Sequence, residues 1–109
     1  MLPGVRFLQE PANSFSNRWL TTILVDPVKI QGAREHIRLS LERENIDSRP
    51  LWKPMHLQPV FHDCPFYGNG TSEKLFEIGL CLPSGSNLSV EDIDAVAKNV
   101  ARSIGAGAG

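Results

Sequence analysis

Metal-binding and nucleophilic side chains cluster near the middle of the chain. They are His56, His62, Asp63 and Cys64, followed later by Cys81. Structural zinc sites normally combine two ligand pairs at C-x2-C or H-x3–5-H spacing, and no such pair of pairs occurs in this sequence. A cysteine nucleophile also needs a base within hydrogen-bond reach, itself oriented by a third group, which adjacency in sequence does not provide. We therefore predict no metal site and no catalytic residue, with a small zinc protein as an alternative.

Two turns and one lysine could bind phosphate or a cofactor. The segment Tyr67–Ser72 leads into a predicted helix, where backbone N–H groups can hold an anion. It lacks the lysine and the spacing of a P-loop, so a turn followed by a helix cap is the favoured interpretation, as it is for Pro83–Asn87. Lys53 could form a Schiff base only if desolvation kept its amine neutral. Its position between Trp52 and Pro54 favours a surface or ligand-contacting cation.

The composition indicates one globular domain. The chain has 109 residues with 11 Lys+Arg against 12 Asp+Glu, which argues against a nucleic-acid surface held by phosphate contacts. No secretory signal and no apolar run long enough to span a bilayer is visible, and Cys64 and Cys81 are expected to be free thiols. We predict a single cytoplasmic domain over residues 1–109, in which residues 105–109 form a frayed tail.

Periodic apolar residues predict a mixture of strands and helices. The predicted strands are Val5–Leu8, Arg18–Val25, Ile46–Leu51 and Leu80–Leu82. The predicted helices are Gly32–Glu44, a short helix capped by Thr71 or Ser72 that ends at Ile78, and a long helix from Ser89 to Gly105. β-Branched and aromatic residues favour the strands, and apolar residues at four-residue spacing favour the helices. This order predicts an α+β fold: a small sheet of three to four strands with helices packed on one face.

The last helix carries the clearest local signals. Ser89 is predicted as the N-cap, with Leu88 and Ile93 at the positions of a hydrophobic staple. Gly105 is predicted to end this helix. The apolar face that should turn toward the core consists of Val90, Ile93, Val96, Ala97 and Val100.

Residues 51–70, here called the 51–70 loop, follow no regular pattern. Three prolines and two glycines exclude an α-helix or a central strand. The same segment holds five aromatic or methionine side chains, which argues against simple disorder. Loops of this length inside a compact domain are usually functional or disordered. We therefore predict an ordered loop that lies against another surface.

Three segments in order resemble one protein family. They read SNRWLTT at 16–22, SRPLWKPMHLQP at 48–59 and GLCLPSGSNL at 79–88. Together with the final helix, they resemble the small C-terminal domain of DegT/StrS-type sugar aminotransferases, over most of the chain from about Phe7 to Val100. The form of the second segment is similar to members that act on 4-keto-6-deoxy hexoses.

The resemblance implies a fold-type I enzyme that uses pyridoxal phosphate. Such enzymes transfer an amino group from L-glutamate to a keto nucleotide-sugar, for bacterial polysaccharides, glycans or antibiotic sugars, and the intact enzyme is expected to be a homodimer. In this family the Schiff-base lysine and most cofactor contacts lie in a larger N-terminal domain. The resemblance therefore implies that this chain is a C-terminal fragment that partners the missing large domain. Alone, it should neither bind pyridoxal phosphate nor catalyse transamination.

The resemblance also places the loop through His56 near the substrate cleft. Arg49 and Lys53 are expected to meet nucleotide phosphates, and His56 is expected to donate a hydrogen bond to a sugar or a carboxylate. Trp52 and Tyr67 could pack against a sugar or a base. Two alternatives remain open: Trp52 could wedge the loop onto the missing domain, and Arg49 could pair with a local carboxylate. A free-standing α+β protein-interaction module is the alternative function.

Overall fold

The computed structural model describes residues 2–108 as a four-stranded antiparallel sheet with three α-helices. The strands are β1 (Val5–Phe7), β2 (Thr21–Val25), β3 (Arg49–Pro50) and β4 (Gly79–Leu82). The helices are α1 (Ala33–Arg43), α2 (Thr71–Ile78) and α3 (Val90–Ala108). The strand order across the sheet is β1-β2-β4-β3. The predicted α+β class is therefore confirmed. Within the described residues, no helix is long and apolar enough to cross a membrane.

The core lies between one face of the sheet and helices α1 and α3. Ile23 of β2 pairs with Leu80 of β4, so the two side chains share a face. Because alternate residues of a strand point to the same side, Val25 joins them. The eight buried residues of this core are Ile23, Val25, Ile30, Ile37, Leu41, Leu80, Val100 and Ile104. The four-residue spacing of Ala33, Ile37 and Leu41 predicts that they form the inner stripe of α1, and this is confirmed: Ile37 and Leu41 are fully buried and Ala33 packs against the core.

The N-terminus of α3 forms the expected cap, but the predicted C-terminus is wrong. The Ser89 hydroxyl accepts a hydrogen bond from the Asp92 amide at 3.0 Å, and the Asp92 carboxylate accepts one from the Ser89 amide at 2.9 Å. The helix continues through Gly105 to Ala108. A glycine ends a helix when it adopts a left-handed conformation, and Gly105 does not. Fraying of residues 105–109 stays a prediction, and Gly109 lies outside the described residues.

The predicted apolar face of α3 is buried only in its second half. Val100 is 4% exposed, whereas Val90 is 79% and Ile93 is 56% exposed. The polar residue Asn99 is buried instead, and it donates to the Ser40 carbonyl at 3.2 Å while its own amide oxygen accepts from the Ser40 hydroxyl at 3.0 Å. This pair of hydrogen bonds joins α1 to α3. The helix is therefore rotated away from the face that hydrophobicity alone indicates.

Helix α2 begins without the predicted side-chain cap. Its N-cap is Gly70 in the left-handed conformation (φ 83°), and neither Thr71 nor Ser72 caps it. The Asn69 side-chain oxygen accepts hydrogen bonds from the amide and hydroxyl of Thr71 at 3.1 and 2.6 Å. A left-handed turn of this kind favours glycine, which carries no Cβ. The segment before α2 is thus a turn that ends at a left-handed glycine, and the expectation that it binds no phosphate stays a prediction.

Candidate functional site

The 51–70 loop extends from β3 to α2 and leaves most of its apolar side chains exposed. It contains two 3-10 turns, Met55–Leu57 and Pro59–Phe61, and no α-helix or sheet strand among its described residues beyond β3. The exposed large apolar residues of this loop are Trp52, Met55, Leu57, Val60, Phe66 and Tyr67. The loop therefore does not fold into the domain's core. Its exposed face is available to another surface or a ligand.

His56 is held inside the loop by two partners. Its Nε2 lies 2.5 Å from a Glu73 carboxylate oxygen on α2, and its ring stacks on Phe66 with centroids 3.6 Å apart at 14°. The His56 side chain is 17% exposed. We call these three residues the His56 clamp. The clamp occupies the Nε2 atom, so only the other ring nitrogen remains to meet a ligand.

Arg49 and Lys53 are two exposed cations on either side of the start of the loop. Arg49 opens β3 opposite Cys81, and its Nε lies 3.2 Å from an Asp47 carboxylate oxygen. Both partners are more than three-quarters exposed, so this ion pair is weak and can exchange Asp47 for another anion. Lys53 is exposed, and its carbonyl accepts a hydrogen bond from the Gln58 side chain at 3.2 Å.

The three predicted substrate-binding residues do not form one hydrogen-bonded group. Across residues 2–108, no hydrogen bond or ion pair joins any two of Arg49, Lys53 and His56. The local carboxylate expected as an alternative partner of Arg49 is present as Asp47. The predicted substrate role of these three side chains stays a prediction.

Two tryptophans form an exposed aromatic pair beside the loop. Trp19 precedes β2 and Trp52 follows β3, and their rings lie with centroids 6.0 Å apart at 32°. Trp19 is 69% exposed and Trp52 is 66% exposed. Pro50, Pro83 and Ser84 line the shallow groove between them. The predicted strand from Arg18 was too long, since β2 begins only at Thr21, and this leaves Trp19 free to meet Trp52.

Sequence reasoning missed the partners of His56 and Trp52. Phe66 and Glu73 lie ten and seventeen residues beyond His56, and no periodic pattern links them. Trp19 had been assigned to the strand itself. No sequence signal links Trp19 to Trp52, because their proximity follows from the strand order, in which β2 and β3 both pair with β4.

The described residues provide neither a cluster of metal ligands nor a desolvated lysine for a Schiff base. Among residues 2–108, no group of three or more His, Cys, Asp or Glu side chains could hold a metal ion. His62 Nδ1 lies 3.2 Å from an Asp63 carboxylate oxygen, but both side chains are exposed, and so is the Cys64 thiol. The four lysines are all exposed, which leaves none of them desolvated: Lys29, Lys53, Lys74 and Lys98.

Two carboxyl groups with lowered pKa values lie on helices α1 and α3. On α1, hydrogen bonds from Arg38 lower the pKa of the Glu35 carboxyl. On α3, hydrogen bonds from the backbone amide and the hydroxyl of Ser89 lower the pKa of the Asp92 carboxyl. Both shifts come from surface contacts that stabilise helices. They therefore mark structural contacts and do not point to an acid–base centre.

Comparison with known proteins assigns the chain to a family. A model of the DegT/DnrJ/EryC1/StrS aminotransferase family matches residues 2–101. EpsN of Bacillus subtilis (strain 168), assigned as a pyridoxal phosphate-dependent aminotransferase, is 46% identical over 96 residues, which cover 84% of this chain and 24% of EpsN.

Solved structures share the fold. The aminotransferase TlmJ from Streptoalloteichus hindustanus matches with a TM-score of 0.80 at 22% identity, covering 96% of this chain and 27% of TlmJ. Spr1654 from Streptococcus pneumoniae, assigned as a sugar aminotransferase and solved in its PLP form, matches with a TM-score of 0.76 at 22% identity, covering 94% of this chain and 27% of Spr1654. The chain therefore spans about a quarter of the length of these relatives.

Proposed function

Because the chain belongs to the DegT/DnrJ/EryC1/StrS aminotransferase family, we propose that it is the small C-terminal domain of a pyridoxal phosphate-dependent sugar aminotransferase. The observation that carries this proposal is the family match over residues 2–101, and the 46% identity to EpsN supports it. Since the chain spans only about a quarter of these relatives, the proposed enzyme also needs a large domain. We propose that this enzyme is a cytoplasmic homodimer.

The proposed reaction is amino transfer from L-glutamate to a keto nucleotide-sugar, in bacterial polysaccharide or glycan biosynthesis. Pyridoxal phosphate accepts and returns the amino group when it is bound. The described residues of this chain do not fit that cofactor, because a Schiff-base lysine must be desolvated and all four lysines are exposed. We therefore propose that the large domain holds the cofactor and that this chain contributes to substrate binding.

The proposed contribution of this chain is to bind and orient the nucleotide-sugar. Arg49 and Lys53 are exposed cations that can meet phosphate oxygens with charge-assisted hydrogen bonds. The exposed rings of Trp19 and Trp52 offer flat apolar surfaces on which a sugar or a base can stack. The exposure of the two tryptophan rings supports the proposal, because large exposed apolar surface marks binding sites.

A chimera tests the proposal. The matching quarter of EpsN is replaced by this chain, and the purified chimera is loaded with pyridoxal phosphate and mixed with L-glutamate. We expect the absorbance to change from that of the pyridoxal form to that of the pyridoxamine form. The controls are EpsN without its matching quarter and the 109-residue chain alone, and neither should respond. A second chimera that receives only residues 48–70 provides the same test if the first chimera does not fold.

Two outcomes would refute the proposed function. One is a folded, cofactor-loaded chimera that does not respond to L-glutamate although EpsN itself does. The other is a response by the 109-residue chain alone. If EpsN carries out no such half-reaction, the family-based assignment of L-glutamate as the donor is wrong.

The nucleotide-binding part of the proposal has its own test. In the responsive chimera, UDP and dTDP are titrated by calorimetry against the parent chimera and its Lys53→Met and Arg49→Met variants. A lost charge-assisted hydrogen bond weakens binding by roughly tenfold or more. Lys98→Met on the exposed surface of α3 is the matched control and should leave binding unchanged. Equal affinities in all four proteins would exclude Arg49 and Lys53 from the nucleotide site.

A further inference from the structure

We propose that Glu73 is a positioning residue that holds His56 in one tautomer and directs its Nδ1 atom toward the substrate. This inference rests on the proposed function, because an oriented histidine matters to the reaction only if the 51–70 loop faces the sugar. It also reverses the expected direction of the substrate contact: when its ring is neutral, a His56 held in this way accepts a hydrogen bond from a sugar hydroxyl at Nδ1 instead of donating one.

The tautomer follows from the chemistry of the two partners. An ionised carboxylate only accepts hydrogen bonds, so the His56 nitrogen that lies 2.5 Å from Glu73 must carry the proton. In the neutral ring, Nδ1 is then an acceptor. Within residues 2–108 Nδ1 has no hydrogen-bond partner, and it is not among the fully buried polar atoms. His56 thus presents one accessible acceptor in a fixed place.

The ring cannot easily turn away from this orientation. Phe66 stacks on one face of the His56 ring at a centroid distance of 3.6 Å and an interplanar angle of 14°. Only 17% of the His56 side chain is exposed, although most of the surrounding loop is open. Stacking fixes the ring plane, and the Glu73 hydrogen bond fixes its rotation within that plane. Both contacts are therefore needed to fix the direction of Nδ1.

Glu73 itself is placed by helices rather than by the loop. It lies in the first turn of α2. Arg34 of α1 anchors α2 at its other end, because its Nε donates to the Glu77 carbonyl at 2.8 Å and its guanidinium lies 5.1 Å over the Phe76 ring. A functional side chain is held most accurately when its partner stands on a rigid element. Glu73 therefore fixes the position of His56 relative to helices α1 and α2.

Nitrogen NMR of the histidine rings tests the tautomer in the 109-residue chain. The chain has three histidines, so His36 and His62 report on the rest of the fold in the same spectrum. At a pH at which the histidine rings are neutral, we expect His56 to show a protonated Nε2 and an unprotonated Nδ1. In Glu73→Ala, we expect a mixture of the two tautomers. In Glu73→Gln, the amide can accept from a protonated Nε2 or donate to an unprotonated one, so we expect the mixture of tautomers to persist although the hydrogen bond remains. Glu91→Ala on the surface of α3 is the matched control.

Two results would overturn the positioning role. The first is a neutral His56 whose proton is on Nδ1 in the parent chain. The second is an unchanged tautomer in Glu73→Ala while the signals of His36 and His62 keep their positions. If Glu73→Ala does not fold, the parent spectrum and that of Glu73→Gln still decide, because the parent must show the Nε2–H tautomer alone and Glu73→Gln must show a mixture of tautomers.

A second readout separates this inference from the proposed function. In the EpsN chimera, Glu73→Ala should slow amino transfer to the keto-sugar about tenfold, as expected when a hydrogen-bond partner is misplaced, and should leave the L-glutamate half-reaction unchanged. Glu73→Gln should restore only part of the rate, because it keeps the hydrogen bond to Nε2 but does not fix the tautomer. An altered tautomer with unchanged sugar turnover would refute the role of the loop in substrate binding, while the tautomer assignment would stand. An unaltered tautomer in a responsive chimera would refute the inference alone.

Discussion

Substitution of Gly79 by alanine should disturb both the stability of the domain and the start of the 51–70 loop. Gly79 opens β4 directly after α2, where its amide donates to the Leu75 carbonyl. A Cβ built on Gly79 would overlap the Leu51 side chain and would lie 2.6 Å from that same carbonyl oxygen. Leu51 therefore packs against the strand in space that only glycine leaves free.

The size of the destabilisation depends on which neighbour of the added Cβ can move. The Leu51 side chain can rotate, which costs about 0.5–1.5 kcal/mol if it leaves its rotamer. The Leu75 carbonyl belongs to the backbone, so relief of that contact requires a shift of the last turn of α2. Overpacking of this kind costs about 1–3 kcal/mol, and the reduced freedom of the unfolded chain returns about 0.4–1 kcal/mol. We expect a net loss of about 2 kcal/mol, or about 30-fold in the folding equilibrium.

Urea unfolding followed by tryptophan fluorescence measures this change. Trp19 and Trp52 are the only tryptophans of the chain, and Trp52 follows Leu51 directly. Gly79→Ala should therefore also alter the emission of the folded state. The control is Gly105→Ala in the last turn of α3, where an added Cβ meets no described atom within 4 Å, and it should change the free energy of unfolding by less than about 0.5 kcal/mol. A Gly79→Ala chain within about 0.5 kcal/mol of the parent, with the same emission, would refute the reasoning.

Three further substitutions probe the core and the helix caps. Leu41→Ala should lower the free energy of unfolding by about 2–5 kcal/mol in urea, because it removes a fully buried side chain. Asn99→Ala should cost about 1–3 kcal/mol by the same assay, since Ser40 loses the partner of its hydroxyl and its carbonyl. Asp92 has a folded-state pKa below its unfolded value because of its hydrogen bonds from Ser89, so its stabilising effect is present above the unfolded pKa and lost as the pH falls through the folded one. Asp92→Asn should therefore flatten the acid side of the stability–pH curve.

Each of these three expectations can fail. A Leu41→Ala chain as stable as the parent would mean that α1 does not pack on the sheet. An Asn99→Leu chain that matches Asn99→Ala in stability, and lies near the parent, would show that the polar pair between α1 and α3 contributes nothing. Identical acid unfolding curves for the parent and Asp92→Asn would exclude a contribution of the Asp92 cap.

Short stretches of sequence were sufficient to predict α1, β2 and the start of α3. The spacing of Ile37 and Leu41 predicted α1, because one face of a helix repeats every three to four residues. The β-branched run through Val25 predicted β2, and the Ser89 cap predicted the start of α3. In each case a short stretch of sequence contains the whole physical cause. The family resemblance carried by the three segments is likewise confirmed by the family match.

The predictions that were wrong concern features that depend on contacts between segments distant in sequence. The burial of Asn99 is possible only because Ser40, 59 residues away, satisfies its amide. The exposure of Val90 and Ile93 depends on which face of α3 packs against α1 and the sheet, and the periodicity of α3 alone does not specify that face. The continuation through Gly105 follows from its backbone conformation, and a glycine can adopt either hand.

The sequence predicted the 51–70 loop as part of the candidate site but did not predict which side chains contact each other there. Proline and aromatic content identified the 51–70 loop as ordered but irregular. Its geometry depends on pairs that are far apart in sequence, such as His56 with Glu73 and Trp52 with Trp19. The prediction that His56 donates to substrate left open which nitrogen is free, and Glu73 occupies Nε2.

The central proposal is that another domain holds the cofactor and that this chain contributes to substrate binding. Borohydride reduction in the presence of pyridoxal phosphate, followed by mass spectrometry, locates any lysine that forms a Schiff base. For the chimera we predict one stoichiometric adduct, on a lysine of the EpsN portion, and for the 109-residue chain we predict none. A stoichiometric adduct at Lys53 in the chain alone would contradict the proposal.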